Sequence, residues 1–391
     1  MKHYAILRVE DQRPRVRGFG SAPATLGGSD FKISVERLAE AEALEAADDP
    51  QTRAVAPLMP TRLIEPFASF DGGLAAAWGV EAVQATTSPY TGAGVTVAVL
   101  DTGIYAQHQA FVGVDLVQED FSGSGNGDVQ GHGTHCAGTI LGRAVGDTGR
   151  IGVAPGITRA LIGKVLSDGG GGESQWLFDG MVWAMRQGAD VISMSLGFDF
   201  PGMVERLVGE GWPAALATST ALEAYRGNLR MFDALMGVLK AQTEFGKSPL
   251  VIAAAGNESR RAESPDFRIA ASLPAAAMDV LSVAALGREG GHFGVASFSN
   301  TMTAVAGPGV DIVSAWPGGE LKALSGTSMA CPHVAGVAAL WWEAMRCAGT
   351  RPTARNVAAR ILASARTNVL VSGSKESDVG QGLVTAPQVA L

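Results

Sequence analysis

The chain has 391 residues, nearly half of them apolar (47%) and only 17% charged, enough for one large domain with an appendage or for two domains. A formal charge of −8 argues against nucleic acid as the main partner, because phosphate binding needs clustered Lys and Arg. Uninterrupted apolar runs stay well short of the ~20 residues a membrane span requires, and the three cysteines, Cys136, Cys331 and Cys347, leave at least one thiol unpaired, as suits a reducing compartment.

Residues 1–70 read as a small α+β unit. The N-terminus lacks the apolar core and small-residue cleavage site of a signal peptide, so a cytoplasmic protein is expected; a sequence trimmed of a leader would instead belong to a secreted one. Tyr4–Val9 suits a strand, and the Gly/Ser/Ala-rich residues 18–30 suit a loop. Ser34 is placed to cap a helix from Val35 to Asp48, with Leu38 and Leu44 among its apolar positions. Ala54–Met59 reads as a strand stopped by Pro60. Pro57, Pro60 and Pro66 then mark an extended segment leading to a turn at Gly72-Gly73. Such a unit buries little surface by itself.

Residues 71–391 read as a second domain. Short apolar runs alternate with helical patterns: Val95–Leu100, then a helix after His132; Ala160–Leu166, then Glu173–Gln187; Val191–Met194; Leu250–Ala255; Val280–Ala284. Buried strands separated by helices indicate an α/β fold with a mostly parallel central sheet covered on both faces. Function collects at the carboxyl ends of such strands. A helical insertion at about 202–248, broken at Gly211-Trp212-Pro213, carries Leu222, Tyr225, Leu229, Phe232, Met236 and Leu239 at helical spacing. This stripe is expected to pack on its own domain; docking a partner protein is the alternative. A last helix is expected at Thr353–Ala365, before the turn Gly380-Gln381-Gly382.

Four segments carry chemistry. In Leu324-Ser-Gly-Thr-Ser-Met-Ala-Cys-Pro-His333 a helix begins at or just after Ser328, which brings the hydroxyl to unpaired backbone N–H groups. A hydroxyl needs a base, and the base needs an orienting group. Val97–Leu100 ends in Asp101, whose carboxylate can accept an imidazole Nδ1–H. His132 lies between glycines in Gly131-His-Gly-Thr-His135. His135, one turn on, raises a metal reading that the absence of a His-Glu-x-x-His arrangement disfavours. Leu250–Ala255 leads into Gly256 and Asn257, an amide able to donate to an oxyanion.

With Asp, His, Asn and Ser in this chain order, the sequence resembles the subtilisin-like serine peptidases (subtilases) from about Trp78 to the C-terminus. The order and the Gly326-Thr-Ser-Met-Ala330 setting differ from the Ser…Asp…His order and Gly-x-Ser-x-Gly of α/β-hydrolases. The resemblance implies a three-layer fold and a serine endopeptidase working through an acyl-enzyme. It makes Ser328 the nucleophile, His132 the base and then acid, Asp101 its orienter and Asn257 the oxyanion donor, with Thr327 a minor contributor. It places a protein or peptide substrate between Gly170-Gly171-Gly172 and Ser195-Leu196-Gly197. Ser195–Gly197 and Ala254-Ala255-Gly256 would wall an uncharged pocket before the cut bond.

No cofactor is required by this chemistry. The family's structural calcium is in doubt, because Ala110 stands where a carboxylate would and the loop 142–150 differs. The N-terminal unit resembles, in shortened form, a propeptide that assists folding and leaves its tail in the cleft as an inhibitor, which would bring residues from Met59 to about Pro66 there; whether it is cut stays open. Cys136 and Cys331 are expected near the site as buried, inert thiols. A catalytically quiet binding protein using residues 202–248, and an esterase on the same triad, are the alternatives.

Overall fold

The computed structural model describes residues 1–10, 30–68, 77–146, 149–242 and 248–389, except the side chains of residues 10 and 30. The expected loop before residue 30 and the Gly72-Gly73 turn lie outside them. The chain divides into two units: Met1–Met59 with Phe200–Ser248, and Pro60–Asp199 with Pro249–Leu391.

In the first unit Lys2–Glu10 is the middle strand of an antiparallel sheet, flanked by Asp30–Leu38 and Thr52–Pro57. Tyr4, Ala5, Ile6 and Leu7 are all buried, as a central strand covered on both faces demands. Residues 35–38, expected to be helical, are strand instead. The ladder to Lys2–Glu10 runs unbroken from Asp30 to Leu38, and the helix begins only at Glu40. Ser34 does not cap that helix: its hydroxyl accepts from Arg8 across the ladder and donates to Glu36 on its own strand. Phe31, Ile33 and their outward neighbours alternate with period two, and sheet pairing overrides the cap signal.

The insertion forms two helices, Phe200–Gly209 and Ala214–Ala241, parted at the expected Gly-Trp-Pro break. Its place in the chain's organisation differs from the sequence reading, which gave it to the peptidase domain. The long helix packs along Thr52–Pro57, where Asn228 Nδ2 donates to Pro57 O at 2.8 Å. Ala224, Phe232, Met236 and Leu239 of its apolar face are buried, whereas Leu222 is exposed. Spacing shows that a face will be buried, but not against which strand.

The second unit is α/β. Its eight-stranded sheet runs His292–Val295, Leu281–Glu289, Leu250–Ala254, Val191–Met194, Thr96–Asp101, Arg159–Lys164, Asp115–Asp120, with Val305–Pro308 also on Leu281–Glu289. Every pair is parallel except the edge pair with His292–Val295. Alternate residues of Thr96–Asp101 serve the two faces. Val97 and Val99 join the core under the helices His132–Leu141 and Thr327–Cys347, while Leu100 meets Gly180 of the helix Ser174–Arg186 on the other side. Three layers result. Thr327–Cys347 is buried almost throughout, and each fully buried Val, Leu or Met there contributes about 1.5–3 kcal/mol of transfer free energy. That helix is therefore rigidly placed, and its first turn carries Ser328.

Candidate active site

Asp101 is the last residue of its strand, His132 the first residue of its helix, Ser328 the second of its own, and Asn257 lies just beyond Leu250–Ala254. All except Asn257 are almost completely buried. His132 Nδ1 and Asp101 Oδ1 stand 2.8 Å apart, and because a carboxylate only accepts, Nδ1 carries the proton. Thr102 N–H donates to the same oxygen.

The helix bearing His132 is fixed to that strand end by Asp128. One oxygen of its buried carboxylate accepts from Thr102 Oγ1 and Gly131 N–H, and the other accepts from the N–H and hydroxyl of Thr134. An acidic group at these free helix N–H groups also satisfies the helix dipole. Gly103 and Gly133 let the two backbones touch. A Cβ on Gly133 would collide with Gly103 O, and Gly103 itself holds a φ of +107°.

Asn257 is oriented by Thr327. Its Oδ1 accepts from Thr327 N–H and from Thr327 Oγ1, both at 2.9 Å, and Thr327 Oγ1 accepts in turn from Gly256 N–H. The Thr327 hydroxyl, expected as a minor oxyanion donor, is thus spent on turning the Asn257 NH₂ outward. A side chain on Gly326 would place its Cβ 3.0 Å from Asn257 Nδ2, which is why the helix is preceded by glycine. Pro332 has no N–H to close the helix bond to Ser328 O. That carbonyl accepts instead from Ser195 Oγ at 3.2 Å and from Cys136 Sγ at 3.4 Å. Ser195, expected on the pocket wall, anchors the backbone of Ser328.

The Cys136 thiol is pushed well up, first by burial and then by the Asp101 charge, so it stays protonated. Burial likewise raises Cys331 to about 11. His135 Nε2 faces the carbonyls of Ile312 and Lys322, and burial, with His132 nearby, lowers its pKa to about 3.

The substrate-side residues are engaged by the chain itself. Pro60–Leu63 lies antiparallel between Gly171–Glu173 and Leu196–Phe198, with Arg62 opposite both Gly171 and Gly197, Thr61 opposite Gly172, and Leu63 opposite Leu196. Leu63 N–H donates to Gly170 O at 2.9 Å. A Cβ on Gly197 would lie 3.6 Å from Ile64 Cγ1, which puts the buried Ile64 side chain beside that segment. Ala254, Ala255 and Gly256 are buried just upstream of Asn257. Ser328 Oγ donates to Ile64 O at 3.1 Å, Asn257 Nδ2 donates to Glu65 O at 2.9 Å, and His132 Nε2 has no partner among the described residues.

The subtilase family model matches residues 92–383, three quarters of the chain. The chain belongs to the subtilase family. It is 34% identical over 272 residues to an intracellular serine protease of Paenibacillus polymyxa, covering 67% of this chain and 71% of that protein. Identity is 32% over 328 residues to subtilisin-like protease 3 of Pseudogymnoascus destructans, covering 78% and 68% respectively. Against subtilisin DY of Bacillus licheniformis it is 33% over 261 residues, covering 67% and 81%. This subtilase is a hydrolase, a subtilisin-like serine endopeptidase. None of its described helices is long and apolar enough to cross a membrane.

The resemblance raises a structural calcium, with Ala110 standing where the family has a carboxylate. Ala110 is buried and has no carboxylate. At the end of the loop 142–150 the Arg150 guanidinium donates to the carbonyls of Gly152, Ala85 and Val153 at 2.7–3.0 Å. Sequence reasoning missed Asp128 and also Asn300, whose buried amide holds Ala255 O, the N–H of Glu258 and the Glu258 carboxylate. An Asp four residues before the His was the signal available for the first; Asn300 had none.

Proposed function

We propose that this endopeptidase cleaves peptide bonds through an acyl-enzyme on Ser328 and that residues 60–68 are its own first occupant and inhibitor. The Ser328 hydroxyl attacks the carbonyl carbon and gives its proton to His132 Nε2, and Asp101 stabilises the resulting imidazolium. The carbonyl oxygen, now negative, accepts from Asn257 Nδ2 and from the N–H at the start of the nucleophile's helix. When the C–N bond breaks, His132 returns the proton to the leaving amine; water then repeats the sequence and frees the acid. The uncharged surroundings of Ile64 favour an apolar residue before the cut bond.

The reading rests on one observation: the Ser328 hydroxyl and the Asn257 amide both point at main-chain carbonyls of a single extended segment, beside the paired His132 and Asp101. The same observation supports inhibition. In a reacting complex one carbonyl must meet both groups, whereas here Ile64 O takes Ser328 and Glu65 O takes Asn257. The bond after Glu65 leads into Pro66, which has no N–H. Three unpaired cysteines, one of them exposed, support a cytoplasmic setting.

Mass spectrometry of the purified protein tests both parts. The wild-type chain is expected to cut itself between residues 55 and 90 and then to label at Ser328 with a fluorophosphonate, while Ser328→Ala stays whole and unlabelled. Undiminished peptide cleavage by Ser328→Ala would overturn the assignment of the nucleophile. Full activity of an uncut chain would overturn the inhibitory role.

A further inference from the structure

We infer that this peptidase has an acidic subsite, formed by Asp199 and Glu258, that selects arginine at the third residue counted back from the cut bond. The inference rests on the reading that Pro60–Leu63 lies where a substrate lies. Ladder register settles which residue of an extended peptide arrives there. If the residue nearest Ser328 corresponds to Ile64, the third residue back corresponds to Arg62, paired through its backbone with Gly197 and Gly171.

The Arg62 guanidinium is shared between two carboxylates. Nη1 stands 3.3 Å from Asp199 Oδ1 and Nη2 stands 3.9 Å from Glu258 Oε1. A planar fork with separate N–H groups suits two acceptors better than a point-charge ammonium does. Neither carboxylate depends on the arginine for its place. Asp199 follows directly on the edge strand Leu196–Phe198, and its N–H donates to Pro60 O at 2.9 Å. Glu258 Oε2 accepts from Asn300 Nδ2 at 2.7 Å, and the Asn300 side chain is wholly buried. Gly256 leaves room for that bond, since a Cβ there would strike both Asn300 Nδ2 and Glu258 Oε2. Two carboxylates thus lie over one position of the channel, where a cation relieves their mutual repulsion and a third carboxylate would add to it.

The site is partly exposed, with Arg62 45%, Glu258 39% and Asp199 20% accessible at their side chains, so the selection is moderate and sensitive to salt. It is also distinct from the uncharged pocket around Ile64: one subsite reads shape and the other reads charge.

Three peptides alike except for Arg, Gln or Glu at the third residue back, digested by the full-length protein after self-processing, provide the test. The expected kcat/KM for the Arg peptide is about fivefold above Gln, with Glu lowest, and the gap narrows at high salt. In Asp199→Asn/Glu258→Gln the Arg-to-Gln ratio falls to about one, and Asp199→Lys moves the preference toward Glu. Fluorophosphonate labelling of Ser328 in each variant verifies that the site has formed. Equal turnover of the three peptides by the wild type, or a preference unchanged in the double variant, would overturn the subsite while leaving the peptidase reading intact. If all three peptides stay uncut and Ser328 stays unlabelled, that reading falls and the subsite with it.

Discussion

Residues 60–63 and residues 67–68 lie on opposite sides of Ser328 and are held very differently. Pro60–Leu63 is bonded along both edges, and its Thr61 and Leu63 side chains are buried. Phe67–Ala68 is bonded along one edge only, to Leu324 and Ser325, and both residues are exposed, although the Phe67 ring lies 5.0 Å from that of Phe298. Two ladders and buried side chains outweigh one short ladder and a half-exposed ring. On the proposed reading, a cut at this site would release the C-terminal side first and leave the N-terminal strand bound as a product, so the asymmetry would prolong inhibition after cleavage.

The largest effect comes from removing the group between the two sides. Ser328→Ala should lower kcat by about a millionfold, the scale known for the same change in subtilisin, and steady-state peptide assays would register it. It leaves both halves of the segment in place and so separates binding from cutting.

Acid acts next, on the frame beneath both sides. Burial holds His135 at about 3 and His333 at about 4, against 6.5 for a free imidazole. Both are neutral in the folded protein and charged in the unfolded chain between those values, so unfolding takes up protons there. Stability is full above pH 6.5 and falls as pH drops toward 4, by about 1.4 kcal/mol per unit for each histidine. Denaturant midpoints measured from pH 7.5 to 4.5 would show a shallow slope if these imidazoles protonate in place.

Asn257→Ala removes the proposed oxyanion donor and also the bond to Glu65 O. We expect a loss of about a hundred- to a thousandfold in kcat with KM little changed. Single-turnover kinetics on the processed enzyme would read the chemical step alone.

The comparison itself is sharpened by two truncations in the unprocessed chain. Leu63→Ala loosens the buried side and should raise the initial rate about tenfold, on the scale of burying a leucine side chain. Phe67→Ala, on the exposed side, should change it by less than about threefold, since only about half of that side chain is desolvated. Progress curves with a small peptide substrate measure both, and equal effects would refute the asymmetry.

The site was legible where chemistry and local structure coincide. Asp101 ends an apolar run, His132 follows a glycine at a helix start, and Ser328 opens an apolar helix; each of these is a short-range signal. Residues 35–38 were misread because a serine before apolar residues fits a helix cap as well as a strand, and only the ladder to Lys2–Glu10 decides between them. Asp128 and Asn300 escaped because half or more of their partners are backbone groups, and a backbone amide carries no mark of sequence.

The sequence by itself determined the alternation of strands and helices in the second unit and which residue types stand at the strand and helix ends, because periodicity and side-chain chemistry are properties of short stretches. Only the tertiary structure decided that the 202–248 helices join the N-terminal sheet, that Thr327 orients Asn257, and that Arg62 stands opposite Gly171 and Gly197 between two carboxylates. Those outcomes depend on which backbone pairs with which and in what register. Main-chain hydrogen bonding is nearly the same for every residue, so the choice is made by the packing of the whole unit.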